Sequence, residues 1–346
     1  MAHARRVLWI VMLVLAAPGQ AAGEDAEKSD GFQELLPKQD EAIERALAWL
    51  AKNQARDGSW NAGAQGYPCA MTGMAGLAFL AAGQTPARGK YGPQLTRAIE
   101  YLLKQQDRSG HIGSTTDGRS MYGHGFAMTF LAECYGMEPG TEFGGRIKDC
   151  LDKAIVLVSK AQSSQGGWYY SPNSGTDEGS VTITQVQALR ACANVGLNVP
   201  DRTLQRAIDY IKKSQQPDGG VAYRVGMSGS RPALSAAGAE LLLMAGMYNA
   251  PETKKAIEYV KRHVNADNSR NQHDSYTTFY AAQALHQIGG DDWVKYFGER
   301  RRRYLKEQNA DGSWSSPGWG ASPVFDTSVG VIVLALPYQY LPLYQR

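Results

Sequence analysis

The sequence lacks most of the features that announce a chemistry. It has four cysteines and six histidines, and no two cysteines stand at the CxxC spacing of a zinc ribbon or redox pair. It carries no glycine-rich phosphate loop, no dinucleotide fingerprint and no G-x-S-x-G nucleophile elbow. Nucleotide-driven chemistry and α/β-hydrolase chemistry therefore have no signal here. Charge of one sign is missing too: 36 Lys and Arg face 33 Asp and Glu, a formal net charge of +3. That gives no bulk attraction to nucleic acid or anionic lipid. Beyond the first 20 residues no apolar run is long enough to cross a bilayer.

The first 22 residues read as a secretory signal. Arg5 and Arg6 form a basic start, Val7 to Ala17 an apolar stretch, and Ala21, Ala22 and Gly23 a small-residue cleavage region; retention as an anchor is the other reading. The chain is thus expected to be exported to a periplasmic or extracellular space, and removal of the leader brings its charge to about +1. Disulfides are permitted there. A Cys134–Cys150 bridge is one option, while Cys134 and Cys192, at matching places in neighbouring helices, read as buried apolar residues.

What the chain does have is a repeat. QARDGSW at Gln54 to Trp60 returns as QNADGSW at Gln308 to Trp314, with weaker copies from Gln106, Gln162 and Gln215 and a degenerate fifth unit around Val264 to Asn268. A unit recurring about every 50 residues is read as a repeat architecture. Before each glutamine lies an amphipathic helix, with Ile43, Leu47 and Leu50 on one face and Glu44, Arg45 and Lys52 on the other. After each turn comes a helix rich in Ala and Gly, such as Met71 to Gly83, Val181 to Gly196 and Ala233 to Gly246, apolar on nearly every side. These are expected to form an outer and an inner layer. The acids of the turn, Asp57, Asp218 and Asp311, are expected to satisfy nearby backbone donors and not to act in catalysis. The run Arg300 to Arg303 reads as a solvated face of an outer helix.

The Q-x-x-D-G-S-W strings resemble the QW motif of the terpenoid cyclase and protein prenyltransferase superfamily, which includes squalene-hopene cyclase. The resemblance covers about residues 40 to 338. It implies an all-α fold, an (α/α)6 toroid of six helix pairs closed into a ring, where the periodicity alone also allows an open solenoid. The expected plan is a signal peptide at 1–22, a linker at 23–39, the toroid at 40–338 and a C-terminal tail at 339–346. In FDTSVGVIVLAL, Asp326 is similar to the end of the acid motif of squalene-hopene cyclase, but Phe325 stands where a further acid would be. The prenyltransferases bind zinc through Asp, Cys and His; Cys69 and His124 match two ligands weakly, with Tyr67 in place of the acid. No metal or other cofactor is assigned.

If all inner helices run the same way, their N-termini share one rim, where free N–H groups and helix dipoles favour a polar or anionic group. The segments framing that rim carry Tyr67, Tyr122, Tyr170, Tyr223, Arg224, Arg231, Tyr276, Trp319 and Phe325 as ligand-binding candidates, and Asp326, Asp274 and His124 as catalytic ones. As plain helix caps, Asp326 and Asp274 have a simpler use. Three readings follow. The first is an exported module that binds an apolar, isoprenoid-like small molecule or a peptide at an aromatic mouth. The second is a terpene cyclase or prenyl-transfer enzyme with Asp326 or Asp274 as acid. The third is an interaction scaffold with no small-molecule site. Oligomeric state is left open, and neither nucleic acid nor a stable membrane span is expected once the leader is removed.

Overall fold

The computed structural model describes residues 32–63, 66–114, 117–264, 273–316 and 322–345. The leader, the degenerate fifth turn after Val264 and Trp319 lie outside the described residues.

Among the described residues twelve α-helices alternate between two layers. The outer ones are α1 (Phe32–Lys52), α3 (Gly92–Lys104), α5 (Glu142–Ala161), α7 (Asp201–Ser214), α9 (Pro251–His263) and α11 (Gly290–Glu307). The inner ones are α2 (Pro68–Ala81), α4 (Ser120–Met137), α6 (Gly179–Asn194), α8 (Pro232–Met244), α10 (Asp274–Ile288) and α12 (Pro323–Ala335). Every described residue of α2 is buried, whereas α3 buries Gly92 at its start and the one face of Leu95, Ala98, Ile99, Tyr101 and Leu102. That contrast is the physical content of the apolar and amphipathic patterns. The described part of α1 already reaches back to Phe32, inside the stretch assigned to the linker.

Each inner helix packs on the next, and α12 packs back on α2, so the ring is closed. The layers are joined by the repeated turn. In every described copy the glutamine amide donates twice, to the glycine carbonyl four residues on and to a carbonyl of the next outer helix. Gln54 reaches Gly58 O and Gln94 O at 2.9 Å each, and Gln308 reaches Gly312 O at 2.9 Å and Ala42 O at 2.8 Å. The second pair ties the last turn to the first helix. The turn glycine is irreplaceable for two reasons: Gly312 has φ +95°, and a Cβ there would lie 2.5 Å from Arg45 O. The tryptophan closes the corner, with Trp60 Nε1 donating to Leu50 O at 2.8 Å and its backbone N–H to Thr72 Oγ1 at 3.0 Å. The turn acids do what was expected: Asp311 Oδ1 accepts from Ser313 N at 3.0 Å and Ser313 Oγ at 2.7 Å.

Two expectations are corrected by the packing. Arg300 and Arg301 are only 2% and 1% exposed; Arg300 faces inward to Asp274, and Arg301 lies over the Phe297 ring at 5.4 Å. No disulfide joins Cys134 to Cys150: all four cysteines are free thiols, and all are buried. The C-terminal tail is no loose end. A 3₁₀ turn, Pro342–Tyr344, packs against α6, and Leu343 and Tyr344 are buried, with Tyr344 edge-on to Phe279 of α10 at 6.5 Å.

Candidate functional site

The inner helices run parallel, because contacts pair one N-terminus with another. Tyr122 at the start of α4 hydrogen-bonds Ser180 at the start of α6, Tyr276 of α10 donates to Ser180 O at 3.5 Å, and Ser275 of α10 meets Asp326 of α12. A common rim therefore exists, and aromatic side chains stand around it. Tyr170 and Tyr223, from the loops before α6 and α8, share a hydrogen bond of 2.6 Å. Tyr170 lies 4.3 Å from the Tyr169 ring and 6.0 Å from the Tyr122 ring, with the Arg119 guanidinium over it at 4.6 Å. Arg224 lies over Tyr223 at 5.9 Å. As whole residues Tyr122, Tyr170, Tyr223 and Tyr276 are all half-buried. Burial raises the pKa of all four hydroxyls, which stay neutral donors.

Beneath the rim sits an acid that the sequence reading missed. Glu178 caps α6 and is fully buried; its carboxylate accepts from Ser180 N at 2.9 Å, Val181 N at 2.5 Å and Ser180 Oγ at 2.8 Å. Tyr122 O–H, Ser180 Oγ and Glu178 thus form a hydrogen-bonded line at the start of α6. Burial raises the Glu178 pKa in spite of these donors. The only sequence signal was a glutamate immediately before Gly-Ser-Val at a helix start, a place where Ser, Thr, Asp or Asn is the usual cap.

The catalytic candidates are otherwise engaged. His124 is fully buried, and its Nδ1 accepts the Ile112 N–H at 3.0 Å. That is the acceptor place held by Thr72, Thr182, Ser235 and Thr327 in the other joints. Burial first, and His111 second, depress its pKa to about 3, so it is a neutral corner bond. Asp326 does not cap α12, whose N-cap is Ser322. Its carboxylate accepts from Ser316 N at 2.8 Å, Ser316 Oγ at 2.9 Å and Ser275 Oγ, holding a loop and a neighbouring helix together. Asp274 does not cap α10 either: it pairs with Arg300 at 3.2 Å and Arg303 at 3.7 Å.

Cys69 has a different neighbour from the one its zinc reading requires. Its thiol lies with Asp117 and Tyr101, and burial, then the charge of Asp117, raise its pKa far from the thiolate a metal needs. Asp117 itself is pushed up to about 6 by burial. Among the described residues no group of three or more His, Cys, Asp or Glu could hold a metal. Of the remaining candidates, Tyr67 is the N-cap of α2 in the left-handed conformation, φ 61°, Phe325 is buried in the core, and Arg231 is exposed, its N–H donating to Val221 O. Within the ring below the rim lie Phe126, Phe279, Tyr280 and Tyr344, packed ring to ring, so aromatic side chains occupy the barrel axis.

No family model and no curated protein matches the chain. Solved structures do. A variant of the type II terpene cyclase MstE from Scytonema, in complex with its product merosterolic acid A, matches with TM-score 0.61 at 16% identity, covering 90% of this chain and 99% of that one. Another variant, with the substrate geranylgeranyl dihydroxybenzoate, gives 0.60 at 15% over 90% and 99%. A glycosidase variant in complex with glucose gives 0.56 at 15% over 89% and 99%. This likeness shows the fold, the all-α toroid of terpene cyclases, and that fold serves more than one chemistry. No described helix is long and apolar enough to cross a membrane.

Proposed function

We propose that the chain is an exported binding protein whose tyrosine rim holds an apolar, isoprenoid-like ligand bearing a small polar head. One observation carries this reading: four half-buried tyrosines converge at the shared N-terminal mouth, while Asp326, Asp274 and His124 are tied into the framework. The rings offer flat apolar surface, and one O–H of the Tyr170–Tyr223 pair, with Arg224 beside it, offers a donor to a hydroxyl or anionic head. Because Phe126, Phe279 and Tyr344 occupy the axis, the ligand's chain lies across the mouth instead of descending the barrel. The cyclase with geranylgeranyl dihydroxybenzoate supports the ligand class by analogy of fold.

Mixing the purified full chain with geranylgeraniol, followed by native mass spectrometry and analysis of the extract, tests it. The expected result is a one-to-one complex from which the alcohol returns unchanged. Conversion to an isomer or adduct would favour an enzyme, with Glu178 as the first acid to replace, and absence of any complex would remove the reading.

A further inference from the structure

The five described joints between turn and outer helix are built alike except for one. At three of them, the residue whose carbonyl faces the turn glycine is an arginine that reaches back as a brace. Arg45 donates to Asn309 O at 2.9 Å, Arg97 to Gln54 Oε1 at 2.7 Å and Arg206 to Ser163 O at 2.5 Å. At the fourth that place is Lys255, and Arg262, seven residues on, donates to Asp218 O at 3.0 Å. At the second joint the same two places hold Lys153 and Lys160, and no described arginine crosses to the turn. The glutamine bonds are kept there, Gln106 to Gly110 O at 3.1 Å and Cys150 O at 2.7 Å, so the joint is closed but unbraced.

At this joint the surface opens into a concavity of about 640 Å³ between Arg108–Ser109, the outer face of α5 and Pro172–Asn173. That volume lies within the roughly 300–1,000 Å³ of small-molecule sites. Three cations, Arg108, Lys153 and Lys160, line it, and none has an ion-pair partner among the described residues. Its one acid, Asp152, is engaged by Lys148 at 2.6 Å. The floor is apolar: Val156, 50% exposed, with Leu157, Ala161 and Pro172. An exposed valine beneath unpaired cations offers an apolar body and an anionic head their complements in one place.

We infer that this groove is a binding site for a small amphiphilic anion, a carboxylate-headed molecule with an apolar body, free in solution. It lies on the outer wall and does not depend on the reading of the mouth. Isothermal titration of the full chain with decanoate, below its micelle concentration, tests it, with decan-1-ol and acetate as probes of body and head alone. Decanoate is expected to bind at least tenfold more tightly than either. The double variant Lys153→Gln/Lys160→Gln and the variant Val156→Asp, each with unchanged circular dichroism, are expected to weaken it at least tenfold; Lys254→Gln, which removes an exposed cation of α9 away from the groove, leaves it unchanged. No binding, equal binding of decanol, full affinity in the lysine variant, or an equal loss in Lys254→Gln would each overturn the assignment.

Discussion

At the scale of single residues, the protein uses titratable groups as framework, and their pH dependence shows it. His124 is held neutral with a pKa depressed to about 3 from 6.5. Between those values the unfolded chain binds the proton and the folded chain does not. The contribution of His124 is therefore fully present above pH 6.5 and is lost as pH drops toward 3. Two buried acids of the inner helices act in the opposite sense. Glu133 and Glu240 are pushed up to about 7 and about 8 by burial, from 4.5, so stability falls as pH rises from 4.5 through those values. The limbs overlap between pH 4.5 and 6.5, where the two acids lose more than the one histidine gains, so unfolding by urea across pH 3 to 9 is expected to show a maximum near pH 4.5. His124→Thr, which supplies the hydroxyl acceptor of the other joints, flattens the acid limb, and Glu240→Gln flattens the alkaline one. His124→Ala leaves the Ile112 N–H without an acceptor and opens a cavity, at a cost of about 2–4 kcal/mol. A variant that kept full stability would contradict the structural role given to His124.

At the scale of elements, the turn is the unit that carries information. Gly312→Ala is expected to cost about 3 kcal/mol or more, since the left-handed backbone and the 2.5 Å approach to Arg45 O both oppose a Cβ. Gln308→Ala, which frees two carbonyls, is expected to cost about 1–3 kcal/mol. Thermal unfolding followed by circular dichroism measures both, and an unchanged midpoint in either would contradict the joint described here.

This is also the scale at which the sequence is most legible. Periodicity separates the half-polar outer helices from the wholly apolar inner ones, because burial on one side or on all sides leaves different residues tolerable. Glycine, acid and tryptophan of the turn are readable because each answers a local need. The roles of Asp326, Asp274, Arg300 and His124 are not readable, because their partners lie 10 to 51 residues away and only the closed ring brings them together. Glu178 escapes for the same reason: its importance comes from Tyr122, on a different repeat.

At the scale of the whole molecule, one end of the double-walled ring differs from the other. The N-terminal ends of the inner helices form the tyrosine rim, while the C-terminal tail turns inward to put Tyr344 beside Phe279. Tyr344→Ala should cost about 3–5 kcal/mol, as for truncation of a buried aromatic, and so lower the unfolding midpoint although the residue is third from the end of the chain. A free tail would show no change.

The central claim, that the rim is the binding surface, is tested most directly by the dissociation constant for geranylgeraniol of the parent chain beside the double variant Tyr170→Ala/Tyr223→Ala. The account predicts affinity at least tenfold weaker in the variant with the fold intact; equal affinity in a folded variant would contradict it.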